Sequence, residues 1–276
     1  MTDRYAVFGN PIAHSKSPQI HTEFAQQTEQ DLSYEALLAP VDAFAESFNE
    51  FLQQQGKGAN ITVPFKQDAY ERAESLTPRA QRAGAVNTLW QDEHGVVHGD
   101  TTDGVGLVRD LTQNQQLDLK GKRILILGAG GAVRGVIEPI LAEQPAQLVI
   151  ANRTVSKAEQ LAELFADFGV ISGCGFADLA GQQFDVVVNG TAASLAGDLP
   201  PLPDDLLAEG AACYDMMYSK ETTVFNLWAL EHGAAKAIDG LGMLVEQAAE
   251  SFNIWRGVQP KTDRVMTQLR EALNQN

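Results

Sequence analysis

The segment from Arg123 to Ala151 constrains the fold more than any other part of the 276-residue chain. It begins with an apolar strand, Arg123–Leu127, and passes through a glycine-rich turn into an apolar helix that ends near Glu143. A second apolar strand, Gln147–Ala151, follows. Uninterrupted apolar strands are typical of parallel sheets that helices cover on both faces. This order of elements predicts an α/β fold with a doubly wound sheet of the Rossmann type.

The glycine turn predicts a binding site for the pyrophosphate of a dinucleotide. Gly128, Gly130 and Gly131 let the backbone turn tightly, and the N–H groups and dipole of the following helix hold the anion. The run departs from the Gly-x-Gly-x-x-Gly pattern because Val133 takes the last position. The surrounding strands and helix therefore carry the prediction more than the glycines do. The alternative is a tight helix start that holds no ligand.

The residues after the second strand predict NADP(H) as the cofactor in place of NAD. An NAD site usually has Asp or Glu here, on the ribose hydroxyls. This chain has Asn152, Arg153 and Thr154, with Lys157 just beyond. A guanidinium binds a 2′-phosphate through paired N–H groups, whereas an acid would repel it. The alternative is that Arg153 and Lys157 are solvated surface charges.

Strands alternate with helices on both sides of this segment, so we expect two α/β domains. Residues 1–102 are predicted to form a substrate-binding and catalytic domain, and residues 103–238 the NADP-binding Rossmann domain. Residues 239–276 are predicted to be C-terminal helices that return to the first domain. Ligands often bind where domains meet, so we expect them in a cleft between the two. Asn189 and Thr191 follow a further apolar strand and either contact the cofactor or cap a turn.

The segment Asn60–Lys66 gives the main signal for chemistry. Strand alternation places Asn60 and Thr62 on one face. Lys66 falls in the first turn of the next helix, where the helix dipole disfavours a cation. A general acid–base role explains this position, and an ordinary solvated lysine is the alternative. Asp103 opens another helix, either as a common helix-start acid or as the partner of Lys66.

Two hydroxyl groups, those of Ser15 and Ser17, lie at a predicted helix start beside Pro18. A helix start with two hydroxyls suits a carboxylate ligand. The alternative is that Ser17 simply caps the helix.

Composition excludes several classes of partner. The formal net charge of −16 disfavours nucleic acid and anionic lipid. The sequence has no apolar run of about 18 residues, so we expect no membrane span. Cys174 and Cys213 lack metal-site spacing, which indicates a reducing compartment and no bound metal. The start of the chain lacks signal-peptide zones, so we expect a cytoplasmic protein. We expect its ligands to be small molecules, and the sequence leaves open whether it is a monomer or a homodimer.

Together these motifs resemble those of the shikimate dehydrogenase family, in order and over nearly the whole chain. The matching segments are His14–Pro18, Asn60–Lys66, Gly84–Thr88, Gly128–Ala132, Asn152–Thr154, Asp215–Tyr218 and Asp239–Gln247. The resemblance implies reversible reduction of 3-dehydroshikimate to shikimate by NADPH, a step toward the aromatic amino acids. It implies that Lys66 and Asp103 are catalytic and leaves open which of them transfers the proton.

The resemblance also implies which residues contact the ligands. The implied substrate contacts are Ser15, Ser17, Asn60, Thr62, Lys66, Asn87, Asp103, Tyr218 and Gln247. The implied cofactor contacts are Gly128, Ala129, Gly130, Gly131, Ala132, Asn152, Arg153, Thr154, Lys157, Asn189, Thr191, Met216 and Gly240. The sequence departs from the family pattern at 189–194 and at 220–223.

Three other functions compete with this interpretation. A dual quinate/shikimate dehydrogenase would more often use NAD, and an acid in place of Arg153 would favour it. A non-catalytic sensor of NADP or another ligand on the same fold would be expected to lack Lys66 or Asp103, and both are present. The third alternative is an unrelated NADP enzyme of similar two-domain shape, such as one acting on folates. The Ser15/Ser17 pair suits a compact carboxylate better than such a substrate.

Overall fold

The structure is a computed structural model, and it describes residues 2–191, 193 and 197–275. The chain divides into a first unit, Met1–Gly106 with Val245–Gln268, and a second unit, Leu107–Leu244 with Leu269–Asn276. The first two of the three divisions fall a few residues after the boundaries expected from the sequence, because each lies within a helix that continues past it. The third division, between Gln268 and Leu269, lies within the last helix and assigns the chain from Leu269 onward to the second unit, whereas the sequence prediction had all of residues 239–276 return to the first domain. The domain roles expected from the sequence remain predictions at this point.

The first unit contains a mixed six-stranded sheet with the strand order β2-β1-β3-β5-β6-β4. β1 pairs in parallel with β2 and β3, β4 pairs in parallel with β6, and β5 is antiparallel to both β3 and β6. The strands are β1 Asp3–Gly9, β2 Leu32–Leu38, β3 Gly56–Ile61, β4 Ser75–Leu76, β5 Thr88–Gln91 and β6 Val97–Asp100. The parallel pairs are joined by crossover helices, as parallel connections require.

Five helices accompany this sheet along the chain: α1 Ser17–Gln27, α2 Phe44–Gln53, α3 Lys66–Arg72, α4 Pro78–Ala83 and α5 Asp103–Arg109. α5 continues into a π-helical turn at Asp110–Asn114. The core beneath α2 is aromatic, because Phe8 of β1 meets the rings of Phe44, Phe48 and Phe51 edge-on at 5.7–6.0 Å between centroids. Such edge-to-face pairs add to the free energy gained from burying each ring.

The second unit contains a six-stranded sheet with the order β12-β11-β10-β7-β8-β9, and every pairing in it is parallel. The strands are β7 Arg123–Leu127, β8 Gln147–Ala151, β9 Ile171–Cys174, β10 Phe184–Asn189, β11 Leu207–Asp215 and β12 Lys236–Asp239. The helices are α6 Gly131–Ala142, α7 Val155–Leu164 and α8 Val224–Glu231. The central β7 runs between β10 and β8, and the order reverses there, which confirms the predicted doubly wound sheet.

Two long helices, α9 Leu241–Arg256 and α10 Asp263–Gln275, end the chain. None of the helices in the described residues is long and apolar enough to cross a membrane.

The structure corrects several element boundaries. The predicted strand at 59–63 begins earlier, at Gly56, and ends at Ile61, because a turn containing the cis Val63–Pro64 bond follows it. The next helix accordingly begins at Lys66 and not at Pro64. The helix expected to reach Phe168 ends at Leu164. Five further elements were not expected from the sequence, namely α4, α8, β4, β9 and β12, and all of them are short.

Candidate active site

Lys66 and Asp103 form an ion pair in the first unit. Lys66 is the first residue of α3 and Asp103 is the first residue of α5. The Lys66 ammonium donates to Oδ2 of Asp103, and the two side chains are 18% and 8% exposed. The N-terminus of α5 stabilises the carboxylate, and the carboxylate offsets the unfavourable dipole that α3 presents to the ammonium. The structure therefore brings together the lysine and the aspartate that the sequence could not place side by side.

Asn87 holds the other oxygen of that carboxylate. Its Nδ2 donates to Oδ1 of Asp103 at 2.9 Å and also lies 3.3 Å from Oε1 of Gln247 on α9. The Asn87 Oδ1 in turn accepts from the backbone N–H of Thr102 at 2.9 Å. Asn87 and Thr102 are almost fully buried. A buried polar network thus holds the Asp103 carboxylate in place. The Lys66 ammonium lies on the more exposed side of the pair.

Asn60 lies deeper in the same unit and bonds to the protein on both sides of its carboxamide. Oδ1 accepts from the Tyr34 hydroxyl at 2.8 Å and contacts Nε2 of His21 at 3.1 Å. Nδ2 donates to the Ser251 hydroxyl at 2.9 Å. None of His21, Tyr34 and Ser251 was expected from the sequence to belong to the site.

Helical spacing is the signal that could have found two of these residues. His21 follows Ser17 by one turn of α1, and Ser251 follows Gln247 by one turn of α9. Tyr34 gives no comparable signal, because it reaches Asn60 only after β2 and β3 pair with β1.

The two serines lie where α1 begins, Ser15 in the loop that follows β1 and Ser17 in the helix itself. Thr62 directly follows β3. Ser17 is buried as the first residue of α1, and its backbone N–H donates to Oγ of Ser15 at 3.3 Å. The residue at the N-cap position is Lys16, and α1 has no side-chain cap. Capping by Ser17, the alternative raised by the sequence, is therefore excluded. Thr62 follows β3 and is tied to β1 by its N–H, which donates to the Phe8 carbonyl at 2.9 Å.

The glycine turn of the second unit joins β7 to α6. Gly128 has φ +103°, a left-handed conformation that glycine adopts without strain, and a Cβ there would lie 3.2 Å from the Thr191 side chain. Gly130 occupies the N-cap position of α6 and cannot supply a side-chain cap. The first-turn N–H groups, at Gly131 and Ala132 beside Ala129, therefore suit an anionic group.

The positive side chains expected to contact the 2′-phosphate of NADP lie between the end of β8 and the start of α7. Asn152 closes the turn, because its Nδ2 donates to the Thr154 carbonyl at 2.9 Å. Arg153, Thr154 and Lys157 are all exposed around the N-terminus of α7. Two cations at this helix end are unfavourable for the free protein and favourable for binding a phosphate.

The carboxyl ends of β10, β11 and β12 meet in the second unit. Asn189 donates from Nδ2 to Oδ1 of Asp215 at 3.1 Å and accepts from the Thr191 hydroxyl at 2.7 Å. The N–H of Met216 donates to the Asn189 carbonyl at 2.9 Å. Asn189 therefore does cap its turn, because its Oδ1 also accepts from the Thr191 N–H at 3.1 Å, and its carbonyl connects that turn to Met216 after β11.

Gly240 and Tyr218 complete this group. The Gly240 N–H donates to the Met217 carbonyl at 3.0 Å, and a Cβ on Gly240 would lie 2.2 Å from the Met216 carbonyl oxygen. Burial and then the charge of Asp239 raise the pKa of Tyr218, so its hydroxyl stays protonated and can donate. The described residues contain no cluster of side chains that could hold a metal ion.

Three family models match the chain. They are described as the shikimate dehydrogenase substrate binding domain (residues 7–89), shikimate/quinate 5-dehydrogenase (residues 110–196) and the shikimate 5′-dehydrogenase C-terminal domain (residues 240–270). A curated protein from Cellvibrio japonicus, named shikimate dehydrogenase (NADP(+)), is 59% identical over 275 residues, which are 100% of this chain and 99% of that protein. The chain belongs to the shikimate dehydrogenase family.

Solved structures agree with this family assignment. An enzyme from Pseudomonas putida, described as Ael1, has a TM-score of 0.90 and 47% identity, covering 97% of this chain and 98% of its own. The Thermus thermophilus shikimate 5-dehydrogenase, solved with NADP(H) and shikimate, has a TM-score of 0.85 and 33% identity, covering 99% of this chain and 100% of its own. This chain thus shares one fold with both enzymes over nearly its full length.

Proposed function

We propose that this protein catalyses the reversible, NADPH-dependent reduction of 3-dehydroshikimate to shikimate. The observation that carries the proposal is the Lys66–Asp103 ion pair, which Asn87 holds. Lys66 and Asn87 both lie within the matched substrate binding domain. The curated relative from Cellvibrio japonicus carries the name of this activity. A protein of this family that only sensed its ligands would not need such a pair.

In the proposed reaction the protein handles one proton. NADPH, when bound, supplies the hydride that reduces the ring carbonyl carbon of the substrate. We assign the proton to Lys66, whose ammonium donates it to the carbonyl oxygen as that oxygen becomes an alcohol. Asp103 keeps the ammonium oriented and its positive charge stabilised until the transfer. In the reverse direction, neutral Lys66 takes the proton from the shikimate hydroxyl.

We propose that the first unit binds the substrate. Ser15 and Ser17 bind its carboxylate, because the helix start and the paired hydroxyls suit an anion. The remaining proposed contacts are Thr62, Lys66, Asn87, Asp103 and Gln247, together with Tyr218 of the second unit. Asn60 was expected to be a contact, but its hydrogen bonds to the protein favour a positioning role.

We propose that the second unit binds NADP(H). The α6 N-terminus suits the pyrophosphate, and Arg153 and Lys157 suit the 2′-phosphate through charged hydrogen bonds. The proposed contacts are Gly128, Ala129, Gly130, Gly131, Ala132, Asn152, Arg153, Thr154, Lys157, Asn189, Thr191, Met216 and Gly240. A cytoplasmic location and a monomeric or homodimeric state remain predictions from the sequence.

The test is a spectrophotometric assay of nicotinamide reduction with shikimate and NADP⁺. We expect turnover that falls about 10²–10⁴-fold in Lys66→Met, because proton transfer by a positioned side chain contributes that much. The control is binding of NADP⁺ to the same variant, which should not change. Cofactor binding without turnover of shikimate by the unaltered protein would overturn the proposal and favour a sensor.

Quinate is the second candidate substrate, because one matching family model is described as shikimate/quinate 5-dehydrogenase. Quinate with NAD⁺ therefore belongs in the same assay. A higher kcat/KM for that pair than for shikimate with NADP⁺ would favour a quinate dehydrogenase.

A further inference from the structure

Asp100 is a buried carboxylate of the first unit that has no part in the reaction described above. It is the last residue of β6, and its side chain is only 4% exposed. A carboxylate buried to this degree is stable only when its charge is paired and its oxygens accept hydrogen bonds. The partners of Asp100 therefore identify its role.

Arg79 supplies the paired charge. Its Nε donates to Oδ1 of Asp100 at 2.7 Å, and its Nη2 donates to Oδ2 at 2.6 Å. Two parallel hydrogen bonds of this kind fix the direction of a carboxylate as well as its position. Arg79 is the second residue of α4, so the charge pair joins the start of that helix to the end of β6.

The fixed carboxylate holds the segment that leads to Asp103. Oδ1 of Asp100 accepts from the backbone N–H of Thr101 at 2.7 Å. The next N–H, that of Thr102, donates to Oδ1 of Asn87 at 2.9 Å. Thr101 and Thr102 lie between β6 and α5, and side chains bind their N–H groups where no strand partner does. These two hydrogen bonds therefore set where Asp103 begins α5.

The same guanidinium contacts the helix that carries Gln247. Nη2 of Arg79 lies 3.4 Å from Oε1 of Glu250. Glu250 follows Gln247 by three residues in α9, so the two lie on one face of that helix. Nδ2 of Asn87 lies 2.9 Å from Oδ1 of Asp103 and 3.3 Å from Oε1 of Gln247. Arg79 thus connects the segment that carries Asp103 to the helix that carries Gln247.

We propose that Arg79 and Asp100 are positioning residues that hold the Asp103 carboxylate in place. Through Asp103 they orient the Lys66 ammonium for the proton transfer. This inference rests on the proposed function, because it takes the Lys66–Asp103 pair to be catalytic. Neither Arg79 nor Asp100 touches the substrate in this proposal. Their effect is on the chemical step, which a misplacement of about 1 Å can slow about 10²-fold.

The experiment asks whether Arg79 acts through Asp103. Arg79→Met is made in the unaltered protein and in Asp103→Asn, and kcat for oxidation of shikimate by NADP⁺ is measured per folded molecule. In the unaltered background we expect kcat to fall about 10–100-fold, because a misplaced carboxylate slows the chemical step. In the Asp103→Asn background the same change should lower kcat less than about 3-fold, because no carboxylate remains to be positioned. KM for NADP⁺ should not change in either background.

Arg4→Met is the matched control. Arg4 is also a partly buried arginine of the first unit, and it donates to Glu35 at 2.7 Å and to the Gln54 carbonyl at 2.8 Å. It lies near the start of β1, opposite Gly56 at the start of β3. The proposed substrate contacts on this part of the chain follow the other ends of these two strands. Arg4→Met should therefore leave kcat unchanged in both backgrounds.

An equal fall in kcat in the two backgrounds would overturn the proposal, because Arg79 would then not act through Asp103. An unchanged kcat in Arg79→Met would overturn it as well. If Arg79→Met does not fold, Arg79→Lys takes its place, because a lysine keeps the ion pair with Asp100 but loses the paired N–H groups. Its smaller loss of kcat should again disappear in Asp103→Asn. Absence of shikimate turnover in the unaltered protein would instead count against the proposed function.

Discussion

Arg153 shows how a single residue can conflict with its local surroundings. It is exposed at the N-terminus of α7, together with Lys157, where the helix dipole disfavours a cation. Lys66 has the same relation to α3. Conflicts of this kind are visible in a sequence as soon as the helix start is recognised, and they are a physical reason to propose a functional role for the residue. The sequence could therefore point to these residues from the helix starts alone.

Replacing Arg153 tests its proposed contact with the 2′-phosphate of NADP. One charged hydrogen bond contributes about 1.5–3 kcal/mol, so Arg153→Ala should raise KM for NADP⁺ about 10–150-fold. KM for NAD⁺ should not rise, because NAD⁺ lacks the 2′-phosphate. The measurement is the ratio of kcat/KM for NADP⁺ to kcat/KM for NAD⁺, with shikimate saturating, in the unaltered protein and in the variant. An equal fall in kcat/KM for both cofactors would show that Arg153 does not contact the 2′-phosphate.

His21, Tyr34 and Ser251 could not be predicted in the same way. Each fits its element without conflict, and each gains its role only from bonds to Asn60 that close over long separations in the sequence. Strand register and helix packing create those bonds. These long-range hydrogen bonds cannot be predicted from the sequence pattern alone.

At the scale of elements, α9 begins against a buried carboxylate. A Cβ on Gly242, in the first turn of α9, would lie 2.2 Å from the Asp110 carboxyl group. The Tyr214 hydroxyl donates to Asp110 at 2.6 Å and accepts from the Met243 N–H at 3.2 Å. Burial, followed by the charge of Asp110, raises the pKa of Tyr214, so the phenol stays protonated. The N-terminus of α9 is thus joined to the π-helical turn and to β11 by one hydroxyl.

Removing that hydroxyl should destabilise the second unit. Tyr214→Phe leaves a buried carboxylate oxygen and a backbone N–H without a partner, which costs about 1–3 kcal/mol of unfolding free energy. Tyr70→Phe is the control, because the described residues offer its hydroxyl no hydrogen bond. Urea denaturation followed by circular dichroism measures both. Equal midpoints for the two variants would mean that the buried bond contributes nothing to stability.

Short elements are where the sequence was least informative. β9 contains Ser172 and Gly173, and β12 begins with a lysine, so neither presents an apolar run. Both are edge strands of the second sheet, where only one neighbour pairs with them. β7, β8 and β10 lie inside the sheet and are buried at all but one residue each, and their apolar sequences predicted this.

At the scale of the whole molecule, the doubly wound sheet was predictable and the mixed sheet was not. The second sheet follows from apolar strands that alternate with helices. In the first sheet, the place of β5 between β3 and β6 depends on antiparallel pairing that no local pattern specifies. Its short strands carry polar residues such as Asn60 and Thr88, which face the buried network.

The buried histidine predicts how the stability of the molecule depends on pH. The pKa of His21 is about 3 in the folded protein and near 6.5 in an unfolded chain, because burial disfavours its charged form. Between these values the unfolded state binds one more proton than the folded state. Stability from this site is therefore complete above pH 6.5 and falls with decreasing pH, by about 1.4 kcal/mol per unit.

Comparing the unaltered protein with His21→Phe separates the contribution of His21 to the pH dependence of stability from that of the carboxylates. His21→Phe keeps an aromatic ring against Tyr34 but has no group that titrates. Urea unfolding of both proteins from pH 7 to about pH 4 should show a shallower fall in unfolding free energy for the variant, by one proton per molecule. If the two proteins lost stability in parallel, His21 would have to be charged or solvated in the folded state. The orientation of the Asn60 carboxamide would be the same in that case, because a charged His21 still donates from Nε2 to the Asn60 oxygen.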